Sequence, residues 1–508
     1  MNSRIAELEP SAGPQTSEAS ATADVHPQPG AANDASRRWI ALVFIAVAQL
    51  MVALDATIVS IALPSAQASL HASDAERQWV ITAYTMAFGG LLLLGGKIAD
   101  RIGRKRAFLL GLTGFAGASA LGGLAVNFEM LVAARAMQGA FAALLTPTAL
   151  SLLAVSFTEA RERATAFAVY GSIAGSGAAM GLLLGGALTQ YLGWRWCLYV
   201  NIPIAAVAAV GGSAVLPNMS RSAHPDRLDI IGAALVTSAL VALVYGCTQA
   251  VSAGWSSGVV IGMLLTSAVL LVAFVLRQGF TRAPLLPLRI VLDRNRGGSQ
   301  LTVLLAIAGL FGAFLFITYY LQVVRGFSPL EAGLAFLPIT VASQAGSWLI
   351  ARQLMPRVPP RVLIAPGLLV AAAGMALLTQ LQVSSDYVSH VLPAELLLGF
   401  GLACAMVPAF SAATLGVDPR EAGVAAAAVN TAQQVGASIG TALLNTVAAS
   451  ATITYLAMHS ARVVGATALV HGYSVATGWG AGMLALGACT AALMMNAAKP
   501  QMHPTSAV

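Results

Sequence analysis

Fourteen apolar stretches of about 20 residues each, with charge almost confined to the joints between them, leave this chain few ways to fold. A helix of about 20 residues rising roughly 1.5 Å per residue spans the roughly 30 Å of hydrocarbon in a bilayer. The first stretch runs from Trp39 to Leu63 and the last from Ser474 to Asn496. With 57% hydrophobic and 9% charged residues, the chain could not solvate a water-facing surface, for which soluble domains use about 25% charged residues. The expected fold class is an all-α polytopic membrane protein.

Charge orients the chain. If every stretch crosses, Arg37/Arg38, Arg101/Arg104/Lys105/Arg106, Arg161/Arg163, Arg221/Arg227, the run from Arg277 to Arg296, Arg352/Arg357/Arg361, Arg420 and Lys499 share one side. The other side receives Arg77, Arg195, Arg325 and Arg462. Basic joints mark the cytoplasm, and an even number of crossings places both termini there. Much of the net charge of +7 is thus topological, and no nucleic-acid partner is implied. Residues 1–36 are rich in Ala, Ser, Pro and Gln and lack the apolar core of a signal peptide, so they read as a disordered cytoplasmic tail.

No enzyme constellation is visible. Gly90 to Lys97 superficially matches a phosphate loop, but its lysine comes one residue late, Ile98 replaces the magnesium-binding hydroxyl, and the segment is a membrane span. Cys197, Cys247, Cys404 and Cys489 lie far apart inside spans, without metal-ligand spacing, and are expected as packed free thiols. The seven histidines fall in tails, loops or span edges, so a proton relay inside the bilayer must use carboxylates.

Three strongly charged side chains stand well inside spans: Asp55 in the first, Arg135 in the fourth and Glu395 in the twelfth. An ion there costs about 2.5 kcal/mol or more and normally faces a partner or a wet cavity. Arg135 and Glu395 could instead snorkel to the nearer interface; the short side chain of Asp55 cannot. Asp55 is therefore the expected proton-linked carboxylate. The joint after the second span reads Gly96-Lys-Ile-Ala-Asp100-Arg101-Ile-Gly103-Arg104. An acid at a helix C-terminus opposes the dipole, so Asp100 should be held by an arginine or another helix's N-terminus, with Gly96 and Gly103 allowing close approach. A latch from Asp100 to Glu421–Val424 would gate the cytoplasmic end. Gly177, Gly181 and Gly185 line one face of the fifth span, where they serve either packing or gating. The thirteenth opens on a polar run containing Asn430 and Gln434, and Gln138 follows Arg135 by one turn; these are cavity candidates. Ala134-Arg135 to Gly139 aligns with Ala394-Glu395 to Gly399, with Pro147 and Pro408 following at nearly equal offsets. That alignment places Arg135 and Glu395 at equivalent positions, facing a central cavity from opposite halves, and both are expected in proton coupling with Asp55: Arg135 would hold Asp55 when it is ionised, and Glu395 would favour cationic substrates or carry a second proton.

Together these residues resemble the major facilitator superfamily, and within it the fourteen-span drug:proton antiporters of the EmrB/QacA type. The stretch around Asp100 is similar to the superfamily's loop signature. Leu54-Asp55 to Pro64, Arg135-Ala-Met-Gln138-Gly139 and Trp194-Arg195-Trp196 with Asn201-Ile-Pro203 look like motifs of these exporters. One departure is Leu182, which follows Gly181 where the family usually has proline; it implies a straighter fifth helix. The resemblance implies two six-helix halves, 37–218 and 297–498, a linker at 219–296 with two inserted helices, and a short cytoplasmic tail at 499–508. The absence of charge between Asp229 and Arg277 fits inserted helices that face lipid. The implied function is proton-driven efflux of amphipathic drugs or toxic metabolites across the cytoplasmic membrane, without a cofactor beyond the proton gradient. The alternative is transport of one defined metabolite by the same fold. The sequence leaves open whether a periplasmic adaptor and an outer-membrane channel take part.

Overall fold

Each expected crossing coincides with a helix in a computed structural model that describes residues 29–73, 76–157, 159–216, 229–281, 284–355, 357–414, 422–459 and 465–495. Helices α1 (Pro29–Leu70), α2 (Trp79–Ile102), α3 (Arg104–Gly123), α4 (Phe128–Ser156), α5 (Ala160–Tyr191) and α6 (Trp196–Val215) form one bundle. Two linker helices follow, α7 (Ile230–Ala253) and α8 (Gly258–Phe280). The second bundle comprises α9 (Arg294–Val324), α10 (Leu337–Leu349), α11 (Pro360–Gln380), α12 (Tyr387–Ala413), α13 (Ala422–Met458) and α14 (Gly465–Met494).

Among the described residues, eleven helices are long and apolar enough to cross a membrane. The remaining three, α3, α5 and α10, stand where crossings are expected but are shorter or more polar. Helix α3 opens on three basic residues and α5 on Ala-Arg-Glu-Arg, while α10 passes after 13 residues into the π-helical turn Ile350–Leu354. Helix α1 begins at Pro29, so residues 29–36 are helical and not the disordered chain expected. Proline at the first helical position has no N–H to leave unsatisfied, and Ala31, Ala32 and Ala35 favour helix. Residues 1–28 and the tail at 499–508 lie outside the described residues.

Glycines set the helix pairing. Along α5, Gly177, Gly181 and Gly185 face Ala53, Thr57 and Ile58 of α1 in register, so the two helices run parallel with their backbones close together. A Cβ on Gly177 would stand 2.8 Å from the Ala53 Cβ, and one on Gly185 2.9 Å from the Ile58 carbonyl. The second bundle repeats the device, with Gly436 against Leu304 and Gly440 against Ala308 joining α13 to α9. Gly139 abuts the Tyr84 carbonyl just as Gly399 abuts the Ile339 carbonyl, which supports the alignment of α4 with α12. Helix α5 is continuous from Ala160 to Tyr191, as are the proline-containing α1 and α4.

The linker helices differ from each other. Only 17% of the central window of α8 is buried, as lipid-facing placement requires, against 44% for α7. Helix α7 packs on both bundles: Gln78 Nε2 of α2 donates to Thr248 Oγ1 at 2.7 Å, and Thr446 Oγ1 of α13 donates to the Cys247 carbonyl at 3.0 Å. The expectation that both inserted helices merely face lipid is therefore corrected for α7. Its polar Thr248 and small Gly246 and Ala250 suit a helix interface, and absence of charge alone did not separate lipid from protein.

Asp229 fastens the linker pair. It caps α7 by accepting from Gly232 N at 2.9 Å, and it accepts from Arg277 Nε at 2.6 Å and Gln278 Nε2 at 2.9 Å at the end of α8. Burial pushes its carboxyl up, but these hydrogen bonds and the Arg277 charge outweigh that and hold it below its ordinary value. Asp229→Asn should lower stability by about 1–3 kcal/mol at neutral pH. A depressed carboxyl stabilises above its unfolded pKa of about 3.9 and loses the effect as pH falls through the folded value. Thermal unfolding of both proteins in detergent should accordingly show their midpoints converging below about pH 4.

Candidate functional site

Asp55, fully buried in α1, meets Arg135 of α4, itself 2% exposed, through a 2.6 Å contact between Oδ2 and Nη1. Its other oxygen accepts from Gln138 Nε2 at 3.0 Å and Asn201 Nδ2 at 2.8 Å. Ser119 Oγ accepts from the same two amides, at 2.7 and 2.9 Å. Arg135 also donates to the Val80 carbonyl at 3.1 Å and to Gln138 Oε1 at 2.9 Å, and its guanidinium lies 4.4 Å from the centre of the Tyr84 ring. Five helices, α1, α2, α3, α4 and α6, thus contribute to one buried network around the carboxylate. An ion pair so far from water survives only because its remaining valences are filled, and protonating Asp55 would remove the negative half.

Arg135, but not Asp55, stands in the wall of a cavity of about 110 Å³ between the bundles. Tyr84, Thr85 and Arg135 line it from one bundle and Phe311, Gln433 and Gln434 from the other. Its surface is mainly apolar with a few amides and hydroxyls, a composition that suits an amphipathic molecule. Gln434 is where the sequence led us to expect it. Asn430 turns to its own helix instead, donating to the Ala426 carbonyl at 3.0 Å. Gly177, Gly181 and Gly185 bring the helix bearing Asp55 against α5, a packing role.

Glu395 meets neither of its expected surroundings. It is fully buried, so it does not snorkel to water, and it is absent from the cavity wall. Tyr387 Oη lies 3.2 Å from Oε2, and Oε1 has no hydrogen-bond partner. The Arg135 and Glu395 sites are equivalent along their helices, but Glu395 points into its own bundle among apolar neighbours.

At the basic joint, Asp100 is exposed and pairs with Arg104 of its own segment at 3.5 Å. Such an exposed pair contributes little. The partner expected around Glu421 lies outside the described residues, as do the side chains of residues 422–424. Arg101 is exposed. Gly103, with φ of 96°, makes the sharp joint between α2 and α3. Close approach falls to Gly95, whose Cβ would meet the Ala143 backbone; one on Gly96 would sit 3.6 Å from Pro147, an ordinary contact.

The opposite, distal end is closed. Arg77, 3% exposed, donates from Nε to Asn445 Oδ1 at 3.1 Å, with its guanidinium 3.9 Å from the centre of the Tyr319 ring. Tyr319 Oη donates to Gln67 Oε1, Gln322 Nε2 to the Ile61 carbonyl at 3.0 Å, and Leu330 N to Gln190 Oε1 at 3.3 Å. Gly186 of α5 packs against the backbone of Pro329 and Leu330, at the start of the short helix Pro329–Ala335. All of these contacts cross between the bundles.

Sequence reasoning missed Arg77, Tyr84 and Ser119 and left Asn201 as a motif residue without a role. An arginine directly before an apolar helix on the side poor in basic residues was the available signal for Arg77. Asn201, a polar residue within an apolar run, was the signal for itself. The four cysteines are free as expected, but Cys489 is exposed and not packed.

Residues 45–441 match the model of the Major Facilitator Superfamily. The chain is 52% identical over 465 residues to the puromycin resistance protein pur8 of Streptomyces alboniger, covering 91% of this chain and 92% of that one. It is 37% identical to the cephamycin export protein CmcT of Amycolatopsis lactamdurans, over 83% and 87% of the two chains. With the multidrug efflux pump LfrA of Mycolicibacterium smegmatis it shares 31% identity, over 82% of each. Its fold is similar to that of a bacterial homologue of the human lysosomal transporter Spinster in an inward-facing, unoccupied conformation, with a TM-score of 0.64 at 16% identity over 90% of this chain and 97% of the other.

Proposed function

Because the chain belongs to the major facilitator superfamily and its relatives are named for antibiotic resistance and export, we propose that it expels amphipathic antibiotics or toxic metabolites across the cytoplasmic membrane in exchange for protons. The observation that carries the proton coupling is the buried Asp55–Arg135 pair, whose arginine stands in the wall of the cavity between the bundles. Ionised Asp55 holds Arg135; protonated Asp55 releases it to the cavity, so proton and substrate compete for one arrangement of side chains. A membrane potential of 100 mV contributes about 2.3 kcal/mol per proton, enough for roughly a fifty-fold substrate gradient in electrogenic exchange. The cycle uses the bilayer, protons and an amphipathic small molecule.

With the basic joints in the cytoplasm, the distal closure makes this the cytoplasm-facing state of an alternating-access cycle. Gly103 and the group Gly96, Asp100, Arg101 and Arg104 would form the complementary gate when the cytoplasmic end closes, and the exposed Asp100–Arg104 pair suits the open form. Arg77 holds the distal end shut. Arg77→Met keeps the apolar stem but loses a charged hydrogen bond worth about 1.5–3 kcal/mol, so the closed-to-open ratio should fall about tenfold or more. Spin labels at Tyr191→Cys and Val388→Cys, both exposed on opposite bundles, in a Cys489→Ser background, would read this as a longer mean distance.

The function itself is tested in everted vesicles from a host lacking its own drug pumps. Adding substrate to respiring vesicles should release lumenal protons, and an uncoupler should abolish drug accumulation. Accumulation that ignores the uncoupler would reject antiport. One observation favours a narrower reading: the 52% identical relative is named for a single antibiotic. Puromycin and structurally unrelated drugs should therefore be tested side by side, and export of puromycin alone would establish a dedicated exporter.

A further inference from the structure

The surroundings of Glu395 favour a neutral acid over an anion. Tyr387 Oη lies 2.6 Å from the Ala335 carbonyl and 3.2 Å from Glu395 Oε2, yet a phenol has a single hydrogen to donate. Two oxygens at 2.6 Å need a hydrogen between them, so the Tyr387 hydrogen goes to Ala335. The contact with Glu395 Oε2, at 3.2 Å longer than an ordinary O–H···O bond, then leaves that oxygen without a strong donor. The other oxygen, Oε1, is buried and has no partner, an arrangement tolerable for a neutral acid and expensive for an anion.

No opposing charge is available among the described residues. Asp386 accepts from Val388 N at the start of α12, Arg325 donates to the Val383 carbonyl, Glu331 closes a capping box with Ser328, and His390 contacts Ser389. The cluster around Glu395 includes Phe336 and Ile339 from α10 and its vicinity and Val391, Ala394 and Leu398 from α12. Helix α11 adds Gly374, set against the Ala394 carbonyl.

The carbonyl that receives the Tyr387 hydrogen belongs to a helix of the distal contact. Ala335 ends the short helix Pro329–Ala335, whose other face is the distal contact: Pro329 and Leu330 against Gly186, and Gly333 against the Leu182 carbonyl, both of α5. Withdrawal of this helix from α5 would pull the Ala335 carbonyl from Tyr387 and open the carboxyl to distal water. We propose that Glu395 is a second proton-binding site, loaded from the distal solution, and that the distal end closes only when Glu395 carries its proton. On closing, the carboxylate takes one proton from the distal side to become the acid; on opening, it returns it. The proton on Glu395 stands on geometry alone, and its link to closure rests on the alternating-access reading above.

Two measurements on the purified full chain in lipid test this. Infrared spectroscopy at neutral pH should show a protonated carboxyl band that is lost in Glu395→Gln and retained in Asp55→Asn. Tyr387→Phe, which removes the one hydroxyl in contact with the carboxyl, should shift the band without abolishing it. Spectra in which Glu395→Gln removes no such band, or in which Tyr387→Phe leaves it unmoved, overturn the protonated site. For the gate, the Tyr191/Val388 spin-label pair should lengthen as pH rises, the closed-to-open ratio falling by up to about tenfold per pH unit for one linked proton. Glu395→Gln, whose amide is neutral as the acid is, should hold the short distance throughout. Wild-type pH dependence in Glu395→Gln overturns the link. Should Glu395→Gln not fold, the Tyr387→Phe band decides the site and a weakened pH response in that variant the link. Uphill drug efflux is scored separately in Asp55→Asn, so failure of the antiport reading is not confused with failure of this one.

Discussion

Asp55→Asn is expected to reduce uphill drug efflux to the background of a pump-deficient host while leaving the protein in the membrane. The substitution keeps the shape of the side chain, so Gln138 and Asn201 still have an oxygen to donate to. What it removes is the charge. Arg135 then lies in a buried site without its anion, a condition that commonly destabilises by about 3–5 kcal/mol, softened here by the Val80 carbonyl, Gln138 and the Tyr84 ring. The variant imitates permanently protonated Asp55, so it should still exchange substrate for substrate across vesicles without a proton gradient. Counterflow near the wild-type rate combined with absent uphill transport is the expected pair of results. Proton-dependent uphill transport by Asp55→Asn would refute the assignment.

The sequence makes Asp55 legible because a short acid in the middle of an apolar run has nowhere to go but a partner. Arg135 is legible for the same reason, and the spacing to Gln138 places the amide one helical turn on, on the same face. Ser119 and Asn201 are harder, since a single polar residue in a span satisfies itself on its own helix as often as across a bundle; Asn430 does the former and Asn201 the latter. Glu395 shows the limit of internal symmetry. The repeat correctly aligned Gly139 with Gly399, because backbone packing tolerates only one residue type there, but it did not tell which way the charged side chain one turn earlier would point. The latch expected from Asp100 ends on Glu421, outside the described residues, so the sequence leaves a motif there and no contact to set beside it. Arg77 marks the converse case, a bond formed in this state at a residue whose charge alone suggested a loop.

Gly181→Leu is expected to have a large structural effect on the first bundle, beside the ion pair. A Cβ at Gly181 would stand 2.8 Å from the Leu54 carbonyl and closer still to the Thr57 hydroxyl. The obstruction on one side is backbone, which cannot rotate away, so α1 and α5 would have to separate. Overpacking of this kind costs about 1–3 kcal/mol or more, and interfaces between membrane helices depend on such close approach for their dispersion contacts. Leu54 directly precedes Asp55, so separation also carries the carboxylate away from Arg135 and Asn201. Two effects should therefore appear together in Gly181→Leu: little folded protein recovered from the membrane, and failed uphill transport in what is recovered. Gly181→Ala, with the smallest added atom, separates them. It should lower the thermal midpoint by several degrees and reduce uphill transport more steeply than it reduces folded protein, because a displacement of a few tenths of an ångström weakens a 2.6 Å ion pair before it unfolds a bundle. Gly262→Ala on α8 is the control, since a Cβ there meets nothing within 4 Å, and it should match the wild type in both measurements. Equal behaviour of Gly181→Ala and Gly262→Ala would show that α1 and α5 do not rely on close packing at this level to hold Asp55 in place.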